Sequence, residues 1–134
     1  MIVRLLTAAA VLVSGAVHLK LWFDGFRDQD IVGPAFMVNA VAGLVIAVLL
    51  LRWRHWVPLF LAVGFGASTL GAFVVATTAG LFGLHEHWVG IYVWAAAVSE
   101  AVAIIAGVAA GVQEGWLSRD QLQQARALRR THVR

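Results

Sequence analysis

The 134-residue chain has no cysteine. That absence excludes disulfide exchange, thiolate nucleophiles, iron–sulfur clusters and cysteine-based zinc sites. It also removes the quinone-coupled disulfide oxidoreductases, which can be membrane proteins of similar size. Charge is scarce as well, at 13% of residues. The sequence contains no G-x-S-x-G, no H-E-x-x-H and no P-loop, so hydrolase, metalloprotease and nucleotide-driven chemistry lack their mechanical parts. No expected span carries arginine in its interior, which excludes a voltage sensor.

What the chain has in abundance is apolar sequence. It is 61% hydrophobic with a mean hydropathy of +0.84, far too apolar for a soluble domain of its size. Four apolar runs, about 2–22, 31–51, 57–81 and 88–112, each approach the roughly 20 residues that a helix needs to cross a bilayer. No strand alternation competes, and an open sheet could not satisfy its backbone in lipid. The expected fold is all-α: an antiparallel four-transmembrane-helix bundle over residues 1–116, forming one domain. Its two prolines, Pro34 and Pro58, fall in first turns, where a missing N–H costs little. Met1-Ile-Val-Arg4 and the following apolar run also fit a signal peptide; the segment is expected to be retained as the first span.

The formal charge of +3 and pI near 10.6 point to topology and not to nucleic acid, because the basic residues flank apolar runs. Eight arginines, at 4, 52, 54, 119, 126, 129, 130 and 134, fall on one side, against Lys20 and Arg27 on the other. The positive-inside rule then puts both termini in the cytoplasm of a cell whose plasma (inner) membrane the chain crosses. Trp22 and Trp88 mark the outer interface, and Trp53, Trp56 and Trp116 the inner one. After Gly115 a polar, basic tail over 117–134 opens with a capping-box pattern, Ser118 to Gln121, and reads as a short cytoplasmic helix. Its arginines, Arg119, Arg126, Arg129 and Arg130, are either lipid-facing or a solvated topology anchor.

Polar residues inside the spans are the candidates for function, since they are costly there unless they face protein or a cavity. Glu100 lies about 18 Å beyond Trp88 at helical rise, near the midplane. It shares a stripe with Ala96, Ala103, Gly107 and Gly111, a face that lets another helix approach closely. It is a proton acceptor, an ion ligand or a ligand's hydrogen-bond partner; the structural alternative is a protonated carboxyl that ties two helices together. Thr7, Ser14 and His18 give the first span a polar stripe, and Asn39 places an amide in the second that a single helix cannot satisfy. If these faces converge, His18, Asn39, Ser14 and Glu100 form a ligand-binding or proton-relay set in the outer half, above a small, apolar inner half. Ser68, Thr69, Thr77 and Thr78 in the third span are expected to bond their own helix carbonyls.

At the outer rim, His85-Glu86-His87 is the most metal-like feature, and His18 could add a third imidazole for zinc or copper. Haem held between His18 and His85 or His87 is a further possibility. Against both stands the plainer view that histidines beside an interfacial tryptophan are amphipathic loop residues.

Arg4-Leu-Leu, the small-residue stretch that follows, and Ser14-Gly15-x-x-His18-Leu-Lys20 resemble the first helix of the DoxX-type small membrane proteins. The likeness covers about the first quarter of the chain by motif and the rest by span count. It implies four spans and association with quinone or thiol redox systems, of which direct thiol work needs cysteines that this chain does not have. The layout is also similar to small actinobacterial membrane proteins with a His-Leu-x-Leu-Trp segment, here His18 to Trp22. The expectation is a non-catalytic accessory or ligand-binding subunit of a larger membrane complex, respiratory or redox. The alternatives are a haem- or metal-binding redox protein using the outer histidines, and a proton-coupled carrier or channel built on Glu100. Expected partners are membrane lipids and either other membrane subunits or further copies of the chain.

Overall fold

The structure, a computed structural model, describes residues 1–81, 83 and 85–116. The basic tail over 117–134, with Arg119, Arg126, Arg129 and Arg130, lies outside the described residues. The four long helices are α1 (Ile2–Phe23), α2 (Val32–Arg52), α3 (Trp56–Thr78) and α4 (Ile91–Gln113), with one 3-10 turn at Phe26–Asp28 between the first two. Among the described residues there is no strand. At 21 to 23 residues, each helix is about 32–35 Å long. Each carries an 18-residue window of mean hydropathy between 1.9 and 2.4. All four are thus long and apolar enough to cross a membrane, as a multi-pass membrane protein requires.

Large apolar side chains point outward: Val38, Val41, Leu44 and Val48 of α2, Phe60 of α3 and Ile105 of α4 are all exposed. In water this surface would be an aggregation hazard; in lipid it is the ordinary outer face. The interior is built instead from small residues, among them Ala8, Ala47, Ala62, Ala103, Ala106 and Ala110. Lipid tails are as apolar as leucine, so helices associate by close packing and not by hydrophobic expulsion. Two crossings show how close. A Cβ built on Gly43 would stand 2.7 Å from the Val11 carbonyl oxygen, and one on Gly66 would stand 2.7 Å from that of Glu100. These positions let α1 meet α2, and α3 meet α4, backbone to backbone. Helix α1 packs along α2 and α4, and α3 along α4, whereas α2 and α3 touch far less.

One end of the bundle is tied by Arg4, which is only 4% exposed. Its Nε donates to the Leu50 carbonyl at 2.8 Å, and Nη2 to those of Trp53 and His55 at 2.6 and 3.1 Å. Nη1 donates to Glu114 Oε2 at 2.7 Å, and Trp116 Nε1 donates to the same oxygen at 3.2 Å. Leu50 and Trp53 lie at the end of α2, His55 caps the start of α3, and Glu114 follows α4. One guanidinium therefore joins four helix ends and satisfies the Leu50 carbonyl, one of the last four of α2, which would otherwise be orphaned. Sequence reading counts Arg4 as one of several topology charges; in the structure it is a buried clamp.

Two helix ends differ from the expected spans. Helix α3 stops at Thr78, short of Leu81, because Gly80 takes φ +80° and donates its N–H to Val75 O, a left-handed glycine stop. Helix α4 starts at Ile91, after Trp88, because Gly90 (φ +102°) is its N-cap and holds the chain out of helical geometry. Trp88 instead sets its ring edge-on to Phe73 at 4.6 Å.

Breaking a buried charge pair by removing one partner costs about 3–5 kcal/mol, so Arg4→Ala is expected to lower thermal stability in detergent sharply. Arg4→Lys keeps the charge and loses the planar fork, and should fall between the two. An Arg4→Ala protein as stable as the parent would contradict the clamp.

Candidate functional site

At the opposite end from Arg4, a cavity of about 290 Å³ opens between the first half of α2 and the second half of α3, the neighbours that touch least. His18 of α1, Asn39 of α2, Thr69 of α3, Glu100 of α4 and Glu86 of the α3–α4 connection supply its polar wall. Phe26, Phe36 and Phe73 supply aromatic faces.

Glu100 is 2% exposed. It sits nine residues into α4, so about 14 Å from the start of that helix, shallower than a span starting at Trp88 predicts. Ser14 Oγ donates to its Oε1 at 3.2 Å. Ser14, fully buried, does not line the cavity; it supports Glu100 from behind. His18 Nδ1 lies 2.8 Å from the Ser14 carbonyl oxygen one turn back on its own helix. A carbonyl oxygen only accepts, so Nδ1 carries the hydrogen and a neutral ring presents Nε2 as an acceptor. That Nε2 is 3.9 Å from Glu100 Oε1, too far for a direct hydrogen bond. The imidazole is held edge-on to Phe36, with centroids 5.0 Å apart.

Asn39 completes the set. It is 7% exposed, and its Oδ1 is buried with no hydrogen-bond partner. A buried amide oxygen left unpaired costs about 1–3 kcal/mol, and native proteins leave few such atoms unexplained. Thr69, by contrast, donates its hydroxyl to Phe65 O at 2.6 Å within its own helix, as do Ser68, Thr77 and Thr78 within theirs. The hydroxyls of α3 bond backbone, Thr69 also standing beside the Glu100 carboxyl, whereas the amide oxygen of Asn39 in α2 has no partner.

His18, Asn39 and Glu100 therefore meet at one cavity, with Ser14 beneath them. The four candidate metal ligands do not meet. Among the described residues no three His, Cys, Asp or Glu side chains are placed to hold an ion, so His18, His85, Glu86 and His87 form no metal cluster. The reason is local. Glu86 is half-buried at the cavity, whereas His85 and His87 on either side of it are exposed. His85 lies over Gly80, where a Cβ would come within 2.6 Å of its ring.

Sequence reading missed Glu86 as a cavity wall and the three phenylalanines. Glu86 enters the cavity because its N–H donates to Ala76 O at 3.2 Å, which folds the connection back over α3; nothing in local spacing announces that. Lys20 stays outside, paired with Asp24 and 5.2 Å above the Tyr92 ring.

The cysteine-free chain allows a direct check of access. Ala96 lines the cavity and Ala103, two turns along the same helix, is fully buried. Ala96→Cys should react with N-ethylmaleimide about tenfold faster or more than Ala103→Cys, since thiol reactivity follows exposure; equal, slow labelling would mean that the cavity is closed to water. In comparison with known proteins the chain matches no family model, no curated protein and no solved structure, and its site is read from its own chemistry.

Proposed function

We propose that the chain is a membrane-embedded binding protein that admits a small molecule with an apolar body and a hydrogen-bond-donating head to the cavity beside Glu100. The observation that carries this reading is the orphaned Asn39 Oδ1. Asn39 stands in the wall of a cavity whose other polar groups, the carboxyl oxygens of Glu86 and Glu100 and the Nε2 of a neutral His18 ring, can accept too. Pockets for small molecules are mostly apolar, with a few placed polar groups that fix orientation, and this one fits that description.

In this reading the helices form an antiparallel bundle with both termini in the cytoplasm. The Arg4 end carries Arg52 and Arg54 as well, which supports placing it inside. The cavity then opens toward the outer half of the membrane, and the loose α2–α3 seam offers a route in from lipid.

A second reading, a subunit of a larger assembly, is favoured by one observation. Gly64 and Gly71 lie on the exposed side of α3, and a Cβ at either would meet nothing; such a face suits a neighbouring helix. Native mass spectrometry in mild detergent should then show more than a single chain, and Gly64→Leu with Gly71→Leu should reduce it to one. A monomer from the start would contradict this reading.

For the binding reading, 4-phenylbutylamine and 4-phenylbutanol serve as probes with one apolar body and different heads. At least one should bind the detergent-solubilised protein, and Asn39→Leu should weaken it about tenfold, as loss of one good hydrogen bond to a buried group implies. Binding of neither probe would overturn the proposal.

A further inference from the structure

The lining of the cavity is lopsided in charge. Glu100 and Glu86 both face it, and among the described residues no lysine or arginine does. Basic residues are not lacking in the chain, but Arg4 is committed to the far end and Lys20 is paired with Asp24. The remaining polar lining adds no fixed positive charge. Thr69 gives its hydroxyl hydrogen to Phe65 O, His18 has its Nδ1 on the Ser14 carbonyl and in the neutral ring offers Nε2 as an acceptor, and Asn39 Oδ1 has no donor.

Around these acceptors stand Phe26, Phe36 and Phe73. The negative face of an aromatic ring attracts a cation, and more strongly when water is excluded. In a low-dielectric wall a carboxylate's attraction for an opposite charge is likewise far less screened than in water.

Resting on the binding reading above, we propose that the ligand is a lipophilic amine taken up as its ammonium ion. The ammonium N–H groups donate to the Glu100 carboxylate and, once the Asn39 amide turns its buried Oδ1 toward the cavity, to that oxygen as well, and the apolar body lies against Phe36 and Phe73. Glu86, at the mouth formed by the α3–α4 connection, supplies the second negative charge on the way in. A carboxylate head meets the carboxyl groups of Glu86 and Glu100 with no lysine or arginine to balance it, and is rejected.

The test compares heads on one body. Wild-type protein in detergent is titrated by calorimetry with 4-phenylbutylamine, 4-phenylbutanol and 5-phenylpentanoate at a pH where the amine is protonated. The amine should bind at least about tenfold more tightly than the alcohol, a difference of about 1.4 kcal/mol, and the carboxylate should not bind. Glu100→Gln should erase the preference for amine over alcohol, and Glu86→Gln should reduce it while leaving the Ser14–Glu100 contact intact. Alcohol binding as tight as amine binding in the wild type would overturn the cation inference and leave the binding reading standing. If no probe binds, both fall. The wild-type comparison decides the matter even if Glu100→Gln does not fold.

Discussion

The Arg4 guanidinium holds four helix ends at once, and the bundle's asymmetry follows from that. Its donors meet the carbonyls of Leu50, Trp53 and His55 and the carboxylate of Glu114, groups that lipid could not have satisfied. With α2, α3 and α4 gathered on one side chain, the bundle is closed at that end. The small-residue crossings at Gly15, Gly43 and Gly66 carry the closeness along α1–α2 and α3–α4. Helices α2 and α3 touch far less than the other adjacent pairs, and the cavity opens between them at the other end.

The same constraint on polar groups reads differently at the open end. Glu100 has Ser14, and His18 has the Ser14 carbonyl, so two of the three buried polar side chains at the cavity are partly satisfied from within. Asn39 Oδ1 is not. On the proposed reading, the unpaired Asn39 amide is a hydrogen-bonding position that a ligand would fill. The two ends thus differ in kind: one is gathered on a guanidinium, although Glu114 Oε1 there is also left without a partner, and the other is rich in acceptors.

The apolar runs made the four helices legible in the sequence, since hydropathy measures the quantity that lipid selects. Their ends were less legible. Leu81, Trp88 and Val89 are apolar yet lie outside helices, because Gly80 and Gly90 set the backbone there and hydropathy carries no φ angle. Glu100, His18, Asn39 and Ser14 could be singled out because a polar group in an apolar run stands out whatever its partner. What they touch came only from the fold. Glu114, 110 positions from Arg4, and Glu86, turned inward between two exposed histidines, depend on how the chain returns on itself. The His85-Glu86-His87 pattern suggested metal through adjacency, but the fold turns Glu86 to the cavity and leaves the two histidines exposed.

The central claim is that the ligand's head lies against Glu100, and vibrational spectroscopy reads that contact most directly. Infrared difference spectra of the protein in lipid, recorded with and without 4-phenylbutylamine, should show a change in a carboxyl band that is missing in Glu100→Gln. Binding of the amine with no carboxyl band altered, or with the same change in Glu100→Gln, would contradict the account.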